Sequence, residues 1–238
     1  MTDVLDIVRD LVAQASSIAV LTGAGVSAES GVATFRDPDG LWARFSPREL
    51  ASMDGFLANP ERVREWYDYR RQIIASVEPN DGHRALAALE RRRGSSVTIV
   101  TQNVDRLHQR AGSVNVLEVH GNIIENRCND CGRICLTDDI TCTHCGGMMR
   151  PNVVWFGEEL PRDVFARAEQ ACRECDVMLV VGTSAEVYPA AGLPATAANY
   201  GAVVVEINPN PTALSQQAHH IVRAPSAVAL PQILKETT

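Results

Sequence analysis

Four of the seven cysteines stand in two Cys-x-x-Cys-Gly sequences, a pattern that favours metal binding over disulfide formation. The first pair is Cys128 with Cys131, and the second is Cys142 with Cys145. Two such turns supply four thiolates, which form the closed tetrahedral ligand set of a structural Zn²⁺ and leave no open position for catalysis. Because only ten residues separate the pairs, fewer than the common spacing of about 15–20, Cys135 is an alternative ligand. The sequence therefore predicts one structural zinc ion.

A glycine-rich segment near the N-terminus has the residue types that bind a pyrophosphate. Gly23-Ala24-Gly25-Val-Ser27-Ala matches the G-x-G-x-x-G/A pattern, in which glycines permit a tight turn and let the backbone approach phosphate oxygens. A plain tight turn is the alternative, since this motif alone is weakly specific. The acidic residue expected about 20 positions later is absent, because position 43 is alanine. If the segment binds NAD, it does so differently from an ordinary dehydrogenase.

Of the six histidines, His120 is the best candidate for a general base. It ends a predicted strand and precedes Gly121, so it should lie at the edge of the sheet where ligands bind. An imidazole also titrates near neutral pH, as a general base requires. His83 and His108 are predicted in helices, and His144 lies in a cysteine turn. His219 and His220 precede a short strand-like segment.

The hydrophobic pattern predicts a parallel sheet that would position these residues. Runs rich in β-branched residues are nearly continuously apolar, as expected for parallel strands buried on both faces, at 17–22, 97–101, 114–120, 176–181 and 202–207. Helical patterns separate most of them, at 3–14, 83–93, 105–111, 161–175 and 190–200. This alternation predicts an α/β fold with a Rossmann-like parallel sheet and helices on both faces. Polar residues and glycines follow each strand, so they should converge on one crevice.

Two segments depart from this alternation and predict a smaller domain. Residues 36–80 have helical patterns without a good strand and are predicted to be a helical insertion. Residues 121–151 are rich in cysteine and glycine and are predicted to form the zinc-binding module. The Rossmann-like NAD-binding domain would then comprise 1–35, 81–120 and 152–238.

Composition argues against two classes of partner. The net charge is −7 and there is no run of lysine or arginine, which disfavours binding to nucleic acid. No apolar run approaches the roughly 18 residues of a membrane helix, and the N-terminus lacks the features of a signal peptide. We therefore expect a cytoplasmic protein. The sequence does not specify the oligomeric state, and a monomer is consistent with it.

Several segments, taken together and in order, resemble the sirtuins, which are NAD-dependent protein-lysine deacylases. Besides the cysteine turns they are GAGVSAESGVATFR (23–36), TQNVDRLH (101–108), VHGN (119–122), RPNVVWFGE (150–158) and VGTSAEVYPAA (181–191). The resemblance covers nearly the whole chain. Ala33 stands where the family usually has proline, a departure that removes no functional side chain.

The resemblance implies an NAD site and assigns its residues. His120 and Asn103 would be catalytic, with His120 as the base. The phosphate and ribose loop would comprise Gly23, Ala24, Gly25, Ser27, Glu29, Phe35, Arg36 and Trp42. The nicotinamide and ribose pocket would comprise Gln102, Asn103 and Asp105. The adenosine half would contact Gly182, Thr183, Ser184, Asn208 and, by alignment on Leu230-Pro231, Ser226.

The mechanism implied by the resemblance uses the glycosidic bond of NAD and requires no hydride acceptor. The amide oxygen of acyl-lysine attacks C1′ of the nicotinamide ribose, and His120 then deprotonates the ribose hydroxyls so that the 2′-oxygen attacks the alkyl-imidate carbon. The products are nicotinamide, free lysine and 2′-O-acyl-ADP-ribose. The partners implied are acyl-lysine proteins or peptides, whose backbone would pair as an added strand. Val153, Trp155 and Phe156 would border the acyl-lysine tunnel.

Tyr67 and Arg70 resemble the Tyr-x-x-Arg pair of the sirtuins that remove succinyl, malonyl and glutaryl groups. Arginine offers a planar fork to a carboxylate, tyrosine adds a hydroxyl, and residues at i and i+3 share a helix face. Ala51 stands where strict deacetylases tend to have a bulkier residue. The resemblance thus implies a desuccinylase or demalonylase that also removes acetyl groups. The alternative is an exposed helix face.

Three other functions explain fewer of these residues. A protein ADP-ribosyltransferase would use the same NAD pocket, but Tyr67 and Arg70 suit only an acidic acyl chain. A dehydrogenase is disfavoured by the missing acidic residue. A non-enzymatic zinc module would leave four residues without a role: Gln102, Asn103, Asp105 and His120.

Overall fold

The computed structural model describes residues 3–35, 41 and 45–235, and its strands form two sheets. The strands are β1 (Ile18–Thr22), β2 (Val97–Thr101), β3 (Val116–Glu118), β4 (Gly121–Cys128), β5 (Ile134–Cys135), β6 (Met149–Val153), β7 (Val177–Val181), β8 (Val203–Ile207) and β9 (His220–Val222). The main sheet is parallel throughout, in the order β3-β2-β1-β7-β8-β9. The smaller sheet is antiparallel, in the order β5-β4-β6.

The α-helices of the described residues surround these sheets. They are α1 (Val4–Gln14), α2 (Gly25–Ala28), α3 (Pro47–Leu50), α4 (Met53–Ala58), α5 (Pro60–Ser76), α6 (Asp81–Arg93), α7 (Leu107–Arg110), α8 (Arg162–Glu174), α9 (Leu193–Asn199) and α10 (Ser226–Ile233). None of the described helices combines the length and the apolar character that crossing a membrane requires.

The main sheet is buried on both faces, which explains its continuously apolar strands. Every residue of β1 and β7 is buried. One core cluster joins the sheet to α1, α6 and α10, and a second joins the opposite face to α8 and α9. The predicted Rossmann-like α/β fold with helices on both faces is confirmed. All five predicted strands lie in this sheet, and the short segment after His219 adds β9 at its edge.

A third core cluster joins the helical segment before α6 to the antiparallel sheet. It packs Phe56 of α4 and Trp66 of α5 against Ile123 of β4, Val153 of β6 and Trp155. Helix α5 begins with proline at its first position, and the side chain of the preceding asparagine accepts a hydrogen bond from the backbone N–H of Arg62. Both features favour a helix start at this point. This shared core determines which face of α5 is turned inward.

Candidate active site

A cavity of about 740 Å³ lies where β1, β2, β7 and β8 end. The carboxyl ends of parallel strands meet at this edge, as the fold predicts. The predicted NAD and substrate residues that the structure describes all line this cavity, together with His120. Arg36 and Trp42 lie outside the described residues. The structure therefore brings together side chains that are up to about 200 positions apart, as the contact of Glu29 with Ser226 shows (197 positions).

The glycine loop after β1 packs directly on the loop after β7. A Cβ atom on Gly25 would lie 2.7 Å from the Cα atom of Gly182, and one on Gly23 would lie 2.7 Å from the Cβ atom of Thr183. Gly182 itself has a φ of +59°, which favours glycine. The backbone N–H of Gly25 donates to the carbonyl of Gly182 at 2.8 Å. In this structure the glycines are needed for loop-to-loop contact as well as for a tight turn.

Asn103 and Asp105 are buried at the base of the cavity and are held in place by Ser27. The Ser27 hydroxyl donates to Asp105 Oδ2 at 2.7 Å, and Asn103 Nδ2 donates to the Gly23 carbonyl at 3.0 Å and to Ser27 Oγ at 3.1 Å. Burial raises the pKa of Asp105, and the backbone N–H of Leu107 and the Ser27 hydroxyl oppose this shift. These polar groups form a preorganised floor that presents hydrogen-bonding atoms to a ligand.

Side chains from three strand ends meet around Thr183. Gln102 Nε2 donates to Thr183 Oγ1 at 3.0 Å, and Asn208 Nδ2 donates to the Thr183 carbonyl at 3.1 Å. Farther along the cavity, one oxygen of Glu29 accepts from the Ser226 hydroxyl at 3.0 Å and from the backbone N–H of Ala227 at 2.8 Å. Glu29 therefore fixes the start of α10 against the glycine loop.

His120 presents one ring nitrogen to the cavity. Its Nδ1 lies 3.1 Å from the carbonyl oxygen of Gln102, and a carbonyl only accepts, so Nδ1 carries the proton. The lone pair of Nε2 then has no partner within the described chain. Burial lowers the pKa of His120, and the hydrogen bond to Gln102 partly opposes this. The imidazole is therefore neutral at pH 7 and can accept a proton.

A polar network fixes the turn that carries His120. Asn122 is buried, and its Nδ2 donates to Glu118 at 3.1 Å and to Glu125 at 2.9 Å. Arg106 forms ion pairs with the same two carboxylates. The His120 carbonyl accepts from the backbone N–H of Val154 at 2.9 Å, which ties the turn to the segment after β6.

Tyr67 and Arg70 are buried in the cavity wall, with exposed fractions of 1% and 7%. The alternative that Tyr67 and Arg70 lie on an exposed face of the helix is therefore wrong. The neighbouring Tyr69, in contrast, is 55% exposed. The Arg70 guanidinium carbon lies 4.8 Å from the ring centre of Trp66 and 5.1 Å from that of Phe35. Cation–π contacts of this kind favour the charged form, while burial lowers the pKa of Arg70.

Arg70 forms no ion pair with a carboxylate in the described part of the chain. The Asp105 carboxylate raises the pKa of Arg70 without forming an ion pair, so burial of this cation is only partly compensated and a ligand carboxylate would stabilise it further. Ala51 also lines the cavity, and its carbonyl accepts from the backbone N–H of Phe156 at 2.9 Å.

The four predicted cysteine ligands form one compact group. The sulfur atoms of Cys128, Cys131, Cys142 and Cys145 all lie within 4.8 Å of one another. The sulfurs of Cys128 and Cys145 are 3.5 Å apart, and those of Cys131 and Cys142 are 3.8 Å apart. A tetrahedral zinc ion with Zn–S bonds of about 2.3 Å would separate its sulfurs by about 3.8 Å. The residues fit one structural Zn²⁺, and Cys135 lies outside the group.

Sequence reasoning missed a pair of buried histidines beneath the cavity. The rings of His83 and His108 are 4.8 Å apart between centroids, and burial lowers their pKa values to about 4 and about 3. His83 Nε2 lies 3.4 Å from Ser27 Oγ, and His108 Nε2 lies 3.0 Å from Thr22 Oγ1. Their helical positions were predicted, but no local pattern shows that two helices bring the rings together.

Comparisons with known proteins identify similar sequences and similar folds. Residues 23–189 match the model of the Sir2 family. A Mycobacterium tuberculosis protein named NAD-dependent protein deacylase is 51% identical over 231 residues, covering 92% of this chain and 96% of that protein. The crystal structure of a Sir2 homologue in complex with NAD has a TM-score of 0.90 and 40% identity, covering 98% of this chain and 93% of that one. A Sir2 structure with a deacetylated p53 peptide and 3′-O-acetyl-ADP-ribose has a TM-score of 0.86 and 32% identity, covering 97% of both chains.

Proposed function

Since this chain belongs to the Sir2 family and is an NAD-dependent protein deacylase, we propose that it removes succinyl- and malonyl-type groups from lysine, together with acetyl groups. One observation supports the acidic preference above all others. Arg70 is a buried cation in the cavity wall that makes no ion pair within 4.0 Å in the described chain; the Asp105 carboxylate attracts it only over a longer distance. A dicarboxylic acyl group would supply a carboxylate, and a charge-assisted contact with a guanidinium is strong and directional.

Tyr67 adds a second group suited to the same carboxylate. Burial raises its pKa, so the hydroxyl stays protonated at neutral pH and can donate a hydrogen bond. Ala51 leaves space beside the pair because its side chain is a single methyl group. In this proposal Val153, Trp155 and Phe156 border the channel through which the acyl-lysine enters.

His120 is proposed as the catalytic base. When bound, NAD supplies a ribose carbon that an amide oxygen can attack and nicotinamide as the leaving group. His120 accepts a proton from a ribose hydroxyl at Nε2, because Nδ1 is committed to Gln102. Asn103, which is fixed by Gly23 and Ser27, is proposed to orient the reacting groups beside it.

The remaining cavity residues are proposed to bind NAD. The phosphate and ribose loop would contribute Gly23, Ala24, Gly25, Ser27, Glu29, Phe35, Arg36 and Trp42. The nicotinamide and ribose pocket would comprise Gln102, Asn103 and Asp105. The adenosine half would lie against Gly182, Thr183, Ser184, Asn208 and Ser226. The zinc ion would hold the cysteine module together without entering the chemistry.

The division into domains and the cellular location belong to the same proposal. The Rossmann-like domain comprises 1–35, 81–120 and 152–238, and the small domain comprises the helical insertion (36–80) and the zinc module (121–151). We propose a cytoplasmic location from the use of cysteines for metal binding.

The test compares matched succinyl-, malonyl-, acetyl- and unmodified peptides incubated with NAD, with nicotinamide release and peptide mass as readouts. Arg70→Met should reduce kcat/KM for the succinyl peptide by roughly 30-fold to a few thousand-fold, because it leaves a carboxylate buried and unpaired. Acetyl-lysine has no carboxylate, so its kcat/KM should change little. Tyr67→Phe should show the same selectivity with a smaller loss.

Arg62→Met provides a matched control on the same helix, since the Arg62 side chain is 58% exposed. It should leave the ratio of succinyl to acetyl activity unchanged. Equal losses on both peptides with Arg70→Met would show that Arg70 only supports the helix, and the acidic preference would be wrong. An increase in the mass of the unmodified peptide by one ADP-ribose would indicate ADP-ribosyl transfer instead.

A further inference from the structure

The hydroxyl of Tyr67 is held by a hydrogen bond from Trp155. The indole Nε1 donates to the Tyr67 oxygen at 2.8 Å, and both side chains are almost fully buried, with exposed fractions of 1% and 2%. An indole N–H only donates, so the direction of this bond is fixed. The tyrosine oxygen is the acceptor, and its own proton takes no part in the contact.

That proton is available to a ligand. The contact with Trp155 is the one hydrogen bond that the Tyr67 hydroxyl makes within the described residues. Tyr67 lines the cavity beside Arg70. With one lone pair occupied by the indole, the hydroxyl proton is directed away from Trp155 and can be donated to a carboxylate in the cavity.

The indole is itself fixed by Arg150 and Glu158. The Arg150 guanidinium carbon lies 4.0 Å from the ring centre of Trp155, and this arginine is buried. Arg150 forms an ion pair with Glu158, whose other carboxylate oxygen accepts from the backbone N–H of Trp155 at 2.8 Å. Backbone and ring of Trp155 are thus both restrained, so its N–H has a defined direction.

Arg150 also joins this arrangement to the first cysteine turn. Its Nε donates to Oδ1 of Asn129 at 3.0 Å, and its Nη1 donates to the Val153 carbonyl at 3.1 Å. Asn129 directly follows Cys128, one of the four cysteines of the zinc site, in the chain. The position of the indole therefore depends on a residue of the cysteine module.

We propose that Trp155 is a specificity-positioning residue, whose indole N–H, held in place by Arg150, orients the Tyr67 hydroxyl towards the carboxylate of an acidic acyl group. This inference rests on the proposed preference for succinyl-type groups. It assigns to Trp155 a role beyond lining the channel, because the effect passes through Tyr67. A residue that only shaped the channel would act independently of that hydroxyl.

The test is a double-mutant cycle with Trp155→Phe and Tyr67→Phe. The phenylalanine keeps an aromatic ring against Phe56, whose ring centre lies 5.1 Å away, but removes the N–H. The quantity measured is kcat/KM for a succinyl peptide divided by kcat/KM for the matched acetyl peptide. Trp155→Phe should lower this ratio about 3- to 10-fold in the wild-type background, the range for one oriented hydrogen bond. In the Tyr67→Phe background it should change the ratio less than about 2-fold.

An equal fall in both backgrounds, or no fall in either, would overturn the inference while leaving the succinyl preference of the wild type intact. If instead Arg70→Met and Tyr67→Phe affected both peptides equally, the proposed function would fail and this inference with it. The two failures are therefore distinguishable.

A second measurement does not depend on the Trp155 variant folding. The chain has three tryptophans, so their indole N–H resonances are easily separated by NMR. The Trp155 resonance should move in Tyr67→Phe, and in the wild type it should move on binding a succinyl peptide more than on binding an acetyl peptide. A resonance that is unaffected by Tyr67→Phe would overturn the inference.

Discussion

At the scale of single residues, the protonation of His120 controls whether the proposed base can act. Burial lowers its pKa from the ordinary value near 6.5, so the neutral form persists into mildly acidic solution. A base works when neutral, and activity should therefore be lost only as the pH falls below this lowered pKa. The acidic limb of kcat/KM against pH should lie below pH 6.5.

Replacing His120 with alanine should reduce turnover by about 10²- to 10⁴-fold, the usual effect of losing a general base. The ring makes a single hydrogen bond within the described chain, to a backbone carbonyl, so the fold and NAD binding should be retained. Turnover and NAD affinity measured on the same preparation test both statements. Wild-type turnover in the folded variant would contradict the assignment.

The buried histidines His83 and His108 should make stability depend on pH. Their folded pKa values, about 4 and about 3, lie below the unfolded value near 6.5. Between these values the unfolded chain binds more protons, so the stabilisation is complete above about pH 6.5 and is lost as the pH falls towards about 4 for His83 and about 3 for His108. As the pH falls from about 6.5 to 5, proton binding by the unfolded chain at each histidine should lower the unfolding free energy by about 2 kcal/mol.

Asp105 should give a pH dependence of stability with the opposite sign. Burial raises the pKa of its carboxyl group in the folded protein, so at Asp105 the folded state binds more protons than the unfolded chain and is favoured as the pH falls. The pH dependence of the unfolding free energy is therefore compared between the wild type and His108→Asn, in which only one histidine of the pair remains. Urea unfolding at several pH values should give a shallower slope for the variant, whatever its absolute stability. Identical slopes would show that His108 does not titrate on unfolding.

At the scale of elements, the turn between β3 and β4 requires glycine next to His120. Gly121 has a φ of +71°, and a Cβ atom there would clash with the carbonyl oxygen of Asn152 on β6. Gly121→Ala should therefore separate β4 from β6, displace His120 and destabilise the protein by several kcal/mol, beyond the roughly 1 kcal/mol of backbone strain alone.

Gly201→Ala is a matched control, because Gly201 has a φ of +94° and, apart from Gly201 and its two chain neighbours, no described residue has a heavy atom within 4 Å of the place that its Cβ would take. It should show the strain cost alone and keep full activity. Urea unfolding and kcat/KM for both variants measure the difference. Comparable effects of the two substitutions would mean that the contact with Asn152 is unimportant.

At the scale of the whole molecule, the zinc module should support the active site from outside it. In small modules of this kind metal binding supplies the folding free energy, and Arg150 connects Asn129 of the first cysteine turn to Trp155. Removing zinc with a chelator should therefore unfold the module and abolish deacylation, although none of the four cysteines lines the cavity.

Metal analysis should give about one zinc per chain. Cys128→Ser should lose metal and stability, whereas Cys135→Ser, outside the four-sulfur group, should keep both. Zinc content and thermal unfolding of the two variants test the ligand set. Full zinc in Cys128→Ser would show that Cys135 or another group replaces it.

Several parts of the main fold followed from local sequence. Parallel strands buried on both faces need continuously apolar residues, and this identified β1, β2, β3, β7 and β8. Strand β9 has only three residues and was recognised merely as a short strand-like segment. Strands β4, β5 and β6 were not predicted, because their segment has weak periodicity, and α10 was not predicted, because it contains Pro231 and is apolar around most of its circumference.

The sequence by itself determined the strands of the main sheet, the edge at which its polar residues meet, and the four thiolates, because short periodicities and short spacings encode them. The resemblance implied that Tyr67 and Arg70 face the acyl channel, but the helical pattern left an exposed face as the alternative. Only the tertiary structure shows both side chains buried, since an amphipathic helix does not specify what covers it. It also decided that Trp155 bonds to Tyr67, which is 88 positions away, and that Gly25 packs against Gly182. Such contacts join segments that are distant in the chain, and they arise from packing rather than from any local pattern of residues.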